Sequence, residues 1–305
     1  MSDAEHFLWR RDVLGSSDAP AIVGVDPWRT AGDLWAEKTG RLPSYETEDV
    51  ERLGPRALGR ALEPLLLTAA ERRLGVPLAR QVWYRHPTAP LGVSVDGLAL
   101  ELPTPVLVEA KTCGIVNRPS VLLHAYGDAE SDEVPESVLI QIHHALTVLN
   151  AQPDLPPIRD ALVVALLGDG RGLRCYPLRF DLELGAELFE MECEFWTRYV
   201  EGNTAPPEPP SLETLRRIRR RTELVPVPVD DVLVGEWLHA KRIAAKAAEN
   251  EELTRRMVLA ALGDADAGVS VYGTLTYREV DRKGYTVQPS RARTLRFKPA
   301  EESRV

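Results

Sequence analysis

Residues 92–114 read GVSVDGLALELPTPVLVEAKTCG, two largely apolar runs joined by a turn around ELPTP. Their pattern and their proline-bearing junction predict two consecutive strands. Asp96, Glu109 and Lys111 interrupt this apolar stretch. On a strand alternate residues share a face, so Glu109 and Lys111 project together while Ala110 turns away. If the two strands pair as a hairpin, Asp96 comes alongside Glu109.

Two neighbouring carboxylates repel, and each is costly to bury unpaired. A divalent cation removes both costs. Magnesium accepts oxygen ligands from one or two carboxylates and keeps several waters. A water so activated can attack phosphorus, and Lys111 could orient it or offset charge developing on phosphate oxygens. The residues alone also allow a plainer reading. A Glu and a Lys on an exposed strand face simply meet solvent, and Asp96-Gly97 is an ordinary turn pair.

Bulk composition narrows the field around this stretch. A chain of 305 residues can bury a substantial core in one large domain or two smaller ones. The balance of 37 basic against 46 acidic residues, net charge -9, disfavours a broadly basic nucleic-acid binder. It leaves room for an enzyme with a locally positive groove. Cys113, Cys175 and Cys193 are far apart, and no CxxC occurs, which argues against a disulfide framework, a zinc ribbon or an iron–sulfur cluster. The N-terminus MSDAEHFLWRRD lacks an apolar run fit for a signal peptide, and no stretch reaches transmembrane length. The expectation is a cytoplasmic protein with no membrane partner.

Along the chain, residues 5–14 read as a short helix. The segment AGDLWAEKTG reads as a helix stopped by Gly40, with Leu34 and Trp35 inward. RALGRALEPLLLTAAERRL, residues 56–74, has helical periodicity, with Pro64 marking a kink or a start near Glu63. ARQVWY reads as a strand, 134–149 as a helix, ALVVALLGD and GLRCYPLRF as neighbouring strands, and 183–200 as a helix ending at Gly202. TAPPEPP, residues 204–210, reads as a linker or exposed loop. Beyond it come the basic LRRIRRR, a long helix over 231–261 without a clean heptad, and a tail suggesting a strand pair. The organisation expected is a domain over 1–203 and an accessory region over 204–305.

GSSDAPAIVGVDPWRTAGDLWAEKTG, LGRALEPLLLTAAERRLG, GVSVDGL, VLVEAKT and VPESVLIQIHHALTVL follow one another in this chain. In that order they resemble the successive blocks of the YqaJ-type viral recombinase family. That family is related to the lambda phage exonuclease within the PD-(D/E)XK nuclease superfamily, and the resemblance runs over residues 10–200. It implies an α/β (α+β) restriction-endonuclease-like core, a central mixed β-sheet flanked by helices, with an additional C-terminal helical and β region. It implies a Mg2+- or Mn2+-dependent exonuclease acting on double-stranded DNA with free ends, 5′→3′ in the sense of the phage enzymes. A single-strand annealing protein as partner and a ring-shaped trimer are further implications.

Carried over residue by residue, the resemblance makes Asp96 and Glu109 the metal-binding acids and the Ala110 carbonyl a third ligand. Lys111 becomes the catalytic lysine, Glu63 the acid of the early helix, and Gln141 the residue that orients the lysine or the water. Arg11 and Ser17 match residues that grip a terminal 5′ phosphate. Each has a plainer alternative. Glu63 can serve a helix N-terminus, Gln141 can cap a neighbouring loop, and Arg11 beside Arg10 can be a solvated pair. Ser17 and Asp18 can cap a helix. His144 reads as a half-buried helix residue, and Trp28 and Trp35 as core. LRRIRRR can follow a DNA backbone or form a helix's polar face with Leu215 and Ile218 inward. An endonuclease of the same fold and a non-catalytic DNA-binding protein are the competing functions.

Overall fold

The computed structural model describes residues 9–42, 55–115, 121–218 and 227–278. They fall in two compact units, Met1–Arg219 and Arg220–Val305. The first unit is a mixed α/β domain built on one sheet. In chain order its elements are β1 (Leu14–Gly15), α1 (Ala19–Ile22), α2 (Ala31–Lys38), α3 (Pro55–Leu74), β2 (Ala79–Arg85), β3 (Leu91–Ala99) and β4 (Val106–Cys113). After these come α4 (Glu136–Asn150), β5 (Asp160–Leu167), β6 (Gly172–Arg179), α5 (Leu182–Phe195) and α6 (Leu212–Arg217). The second unit contains α7 (Asp231–Leu262) and the antiparallel pair β7 (Ala267–Ser270) and β8 (Gly273–Thr276). The restriction-endonuclease-like architecture and the added helical and β region expected from the sequence are both present.

The six-stranded sheet runs β1-β3-β4-β5-β6, with β2 also paired to β3. β3 and β4 are antiparallel, β4 and β5 parallel, β5 and β6 antiparallel. A parallel neighbour needs a crossover, and α4 supplies it between β4 and β5. β5 is apolar on both faces because both faces are covered. Val163 and Ala165 belong to the large core cluster with Ile142 and Leu146 of α4, while Leu162 and Val164 meet Leu66 and Leu67 of α3. The ELPTP junction leaves the paired strands in a register that sets Gly97 against Val108 and Ala99 against Val106.

Several local expectations are corrected. α3 is one helix from Pro55 to Leu74 with Pro64 inside it, so Glu63 sits mid-helix and heads nothing. Proline lacks an N–H and costs a helical bond; packing of Leu66, Leu67 and Ala70 against β4 and β5 carries the helix past it. Trp35 is core, but Trp28 is 69% exposed, because its backbone N–H and that of Arg29 donate to Asp26 Oδ1 and hold a surface loop. Asp18 makes no side-chain cap to α1. Leu215 is exposed, whereas Ile218 packs partly on the core.

The proline-rich segment 204–210 packs against the start of α2. Thr30 Oγ1 donates to the Pro209 carbonyl, Ser211 N donates to Asp33 Oδ1, and Gly32 lies so close to the backbone of Glu208, Pro209 and Pro210 that a Cβ there would overlap it. It therefore lies inside the first compact unit. Residues 219–221 of LRRIRRR and the tail from 279 onward lie outside the described residues.

Candidate active site

β3 and β4 stop pairing at Gly97–Val108, one step short of Asp96 and Glu109. There a side chain replaces the ladder: Ala110 N donates to Asp96 Oδ2 at 2.9 Å. The strands diverge at this point and leave Asp96 beside Glu109, as the hairpin reading requires. On β4, Val108 and Ala110 pack toward α3, and Glu109 and Lys111 take the other face, as alternation demands. Lys111 Nζ donates to Glu109 Oε1 and to Gln141 Oε1, both at 2.6 Å. Gln141 reaches it from α4, whose buried Val138, Ile142 and Ala145 seat that helix on the sheet.

The field here is acidic. Burial pushes the Asp96 carboxyl well above the ordinary carboxylate range, and Glu109 adds to it, with Glu63 contributing further; Lys111 and the Ala110 N–H pull the other way without prevailing. The Glu63 carboxyl is raised by burial and then by Glu109. Burial works to lower the Lys111 ammonium, but Glu109, helped by Asp96, holds it raised and charged. Glu63, Asp96, Glu109, Lys111 and Gln141 thus form one neighbourhood built from α3, β3, β4 and α4.

A divalent cation fits this neighbourhood. Three carboxylates, of Glu63, Asp96 and Glu109, share the neighbourhood with the Lys111 ammonium, and Asp96, Glu109 and the Ala110 carbonyl supply only oxygen donors, the set hard cations take. Among the described residues, no three His, Cys, Asp or Glu side chains gather closely enough to form a metal cluster on their own. The first shell would rest on two acids, a carbonyl and solvent.

The second group of predicted residues divides. Ser17 accepts from Arg10 Nη2 at 3.0 Å. Arg11 is exposed, and its guanidinium approaches Gly40 instead. Beneath Ser17 lies Asp18, fully buried, with Lys38 at 2.7 Å and both Arg10 and Arg29 at 3.0 Å. Burial would raise this carboxyl, but Lys38, Arg10 and Arg29 together hold it well below the usual range. Arg29 also pairs with Asp26 at 3.2 Å and with Glu37 at 3.7 Å, and the side chains of Arg10 and Arg29 are partly exposed above Asp18. Arg10, Arg29, Lys38 and the ionic role of Asp18 had no local signature, because no periodicity connects residues that only the loop preceding α2 brings together. His144 is fully buried, its Nδ1 2.7 Å from Glu192 and its Nε2 3.0 Å from the Gly92 carbonyl, where it ties α4 to α5 and β3.

A mixed sheet whose central strands present an acid pair and a lysine in this way is the fold of nuclease- and recombinase-like proteins. Residues 5–152 match the YqaJ-like viral recombinase domain, and this segment belongs to that family. The uncharacterized protein YqaJ of Bacillus subtilis (strain 168) is 31% identical over 208 residues, covering 68% of this chain; the chain spans 59% of that relative's length. Among solved structures, an alkaline exonuclease (LHK-Exo) from Laribacter hongkongensis is similar at 18% identity, covering 66% of this chain and 93% of that one, TM-score 0.43. A phage related exonuclease from Haemophilus somnus 129PT is similar at 10% identity, covering 63% and 96%, TM-score 0.43. The family assignment rests on the domain match and the Bacillus relative. Among the described residues no helix is long and apolar enough to cross a membrane.

Proposed function

We propose that this chain is a Mg2+- or Mn2+-dependent exonuclease that hydrolyses phosphodiester bonds of linear double-stranded DNA from its 5′ ends. The observation that supports it most is the meeting of Asp96, Glu109, Lys111 and Gln141 where β3 and β4 diverge. Asp96 and Glu109 with the Ala110 carbonyl would hold the metal, and Glu63 would support it from α3. Bound there, the cation would lower the pKa of a water and polarise the scissile phosphate. Lys111 supplies a fixed positive charge for the phosphate oxygens. Gln141, which accepts a hydrogen bond from the Lys111 ammonium as Glu109 does, would hold that ammonium in place. Arg10, Arg29 and Ser17 would receive a terminal 5′ phosphate, a role that the family resemblance implies for Arg11 and Ser17. The chain would work on free ends made available during recombination, handing single strands to an annealing protein.

The test is digestion in magnesium of linear duplex with and without a 5′ phosphate, beside a closed circle. Loss of linear duplex, faster with the phosphate, and an intact circle are expected. Nicking of the circle at the linear rate would make the enzyme an endonuclease of the same fold. Lys111→Ala should lower the rate by about 10²- to 10⁴-fold; unchanged activity would place the site elsewhere, and inactivity of the wild-type chain on every substrate would favour a non-catalytic DNA-binding protein.

A further inference from the structure

Arg29 meets three carboxylates. Asp18 Oδ1 is 3.0 Å from its Nη1, Asp26 Oδ2 3.2 Å from its Nε, and Glu37 Oε2 3.7 Å from Nη1. Its Nη2 donates to the Ser17 carbonyl. The three acids are not held alike. Asp18 is fully buried and also takes Arg10, Lys38 and the Gly15 N–H. Asp26 is bound a second time, since its Oδ1 accepts the Trp28 and Arg29 N–H groups and so shapes the loop. Glu37 meets Arg29 beyond hydrogen-bond length, and its side chain is 37% exposed, against 10% for Asp26 and 0% for Asp18. Its place follows from α2, where Lys38 turns inward to Asp18 and the residue before it emerges beside the same guanidinium. Glu37 still acts on Arg29: burial works to lower the Arg29 pKa, and Asp18, then Glu37, then Asp26 raise it.

We propose that Glu37 is the exchangeable anion of this cluster, a specificity-determining residue that occupies Arg29 until a terminal 5′ phosphate displaces it. The inference rests on the reading of Arg10, Arg29 and Ser17 as a phosphate grip. A phosphomonoester carries about −1.5 to −2 charge at pH 7, more than the single charge of a carboxylate, so it wins the exchange. Asp18 and Asp26 stay in place and keep the guanidinium aimed. Ser17 Oγ accepts from Arg10 and has its own hydrogen left to donate to an arriving phosphate oxygen. A 5′-hydroxyl end brings no such anion and leaves Glu37 on Arg29. Glu37 therefore tempers the preference for phosphorylated ends, and its return to Arg29 helps to expel a bound phosphate.

The test is equilibrium binding of the full-length chain to a fluorescent hairpin duplex whose one blunt end bears a 5′ phosphate or a 5′ hydroxyl, in EDTA so that nothing is cut. The readout is the ratio of the two dissociation constants. Glu37→Gln should raise the preference for the phosphate about twofold to fivefold, the worth of an exposed ion pair. Glu37→Asp keeps the charge but shortens the arm, and should raise it by less. Far-ultraviolet circular dichroism of both variants is expected to match wild type. A wild-type preference that Glu37→Gln leaves unchanged or lowers would overturn this inference and leave the grip standing. Wild type and Glu37→Gln both binding the two ends alike would overturn the grip, and this inference with it. A rise in Glu37→Gln with none in Glu37→Asp would mean that the acid acts through its field alone and does not occupy Arg29, which also overturns it.

Discussion

Asp96 takes the place of a strand partner for Ala110: its Oδ2 accepts the Ala110 N–H at 2.9 Å where the β3–β4 ladder ends. One carboxylate thus ends the pairing of two central strands, satisfies the N–H that this exposes, and stands beside Glu109. Its structural and chemical roles can be separated by substitution.

Asp96→Asn keeps an acceptor for Ala110 and removes a charge that burial and Glu109 disfavour. It should leave stability unchanged or raise it, while cleavage is lost. Asp96→Ala leaves a partly buried N–H unpaired and should cost about 1–3 kcal/mol. Urea unfolding of both variants, set beside their activity, checks the two outcomes. Equal destabilisation by both would mean that the charge itself holds the strands.

Asp18 gives an acid-side prediction. Its folded pKa lies below the unfolded value, so its stabilisation is complete above the ordinary carboxylate pKa and is lost as pH falls through the lowered one. Asp18→Asn leaves Lys38 buried without its anion and should destabilise by about 3–5 kcal/mol near neutrality. Denaturant curves at several pH values should show that gap constant above about pH 5 and narrowing below about pH 4.

His144 has the opposite sign. Burial works to lower its pKa, but Glu192 raises it on balance. The pair's stabilisation is therefore complete below the unfolded histidine value, about 6.5, and is lost as pH rises through the raised folded value. The advantage of wild type over Glu192→Gln should be greatest between about pH 5 and 6.5 and shrink at higher pH. Proton NMR titration of the His144 ring reads the same shift directly; a ring that titrates below the ordinary value would contradict it.

Gly32 tests the placement of the proline-rich segment. Gly32→Ala puts a methyl into the backbone of Glu208–Pro210 and should cost about 1–3 kcal/mol. Limited proteolysis should then cut within 204–210 faster than in wild type. An unaffected variant would mean that the segment does not pack on α2.

Much of the first unit was legible because its signals are local. Short apolar runs bounded by turn residues marked β3, β4 and β5, with β6 as the neighbour of β5; helical periodicity marked α3 and α4, and Gly40 and Gly202 marked stops. Within the site, Glu109 and Lys111 share a face by strand geometry alone, and Asp96 follows once the strands pair. Gln141 came through the family resemblance, since nothing in α4 alone shows that it reaches Lys111.

Sequence by itself determined the strands β2 to β6 and the helices α2, α3 and α4, and that an acid and a lysine two apart on a strand must face one way. These follow from backbone periodicity, which each segment carries on its own. Tertiary structure decided that Arg10 rather than Arg11 meets Ser17, that Asp18 anchors three cations instead of capping a helix, and that 204–210 lies against α2. Such pairings depend on where distant segments come to rest, and long-range packing sets that position with no trace in local pattern.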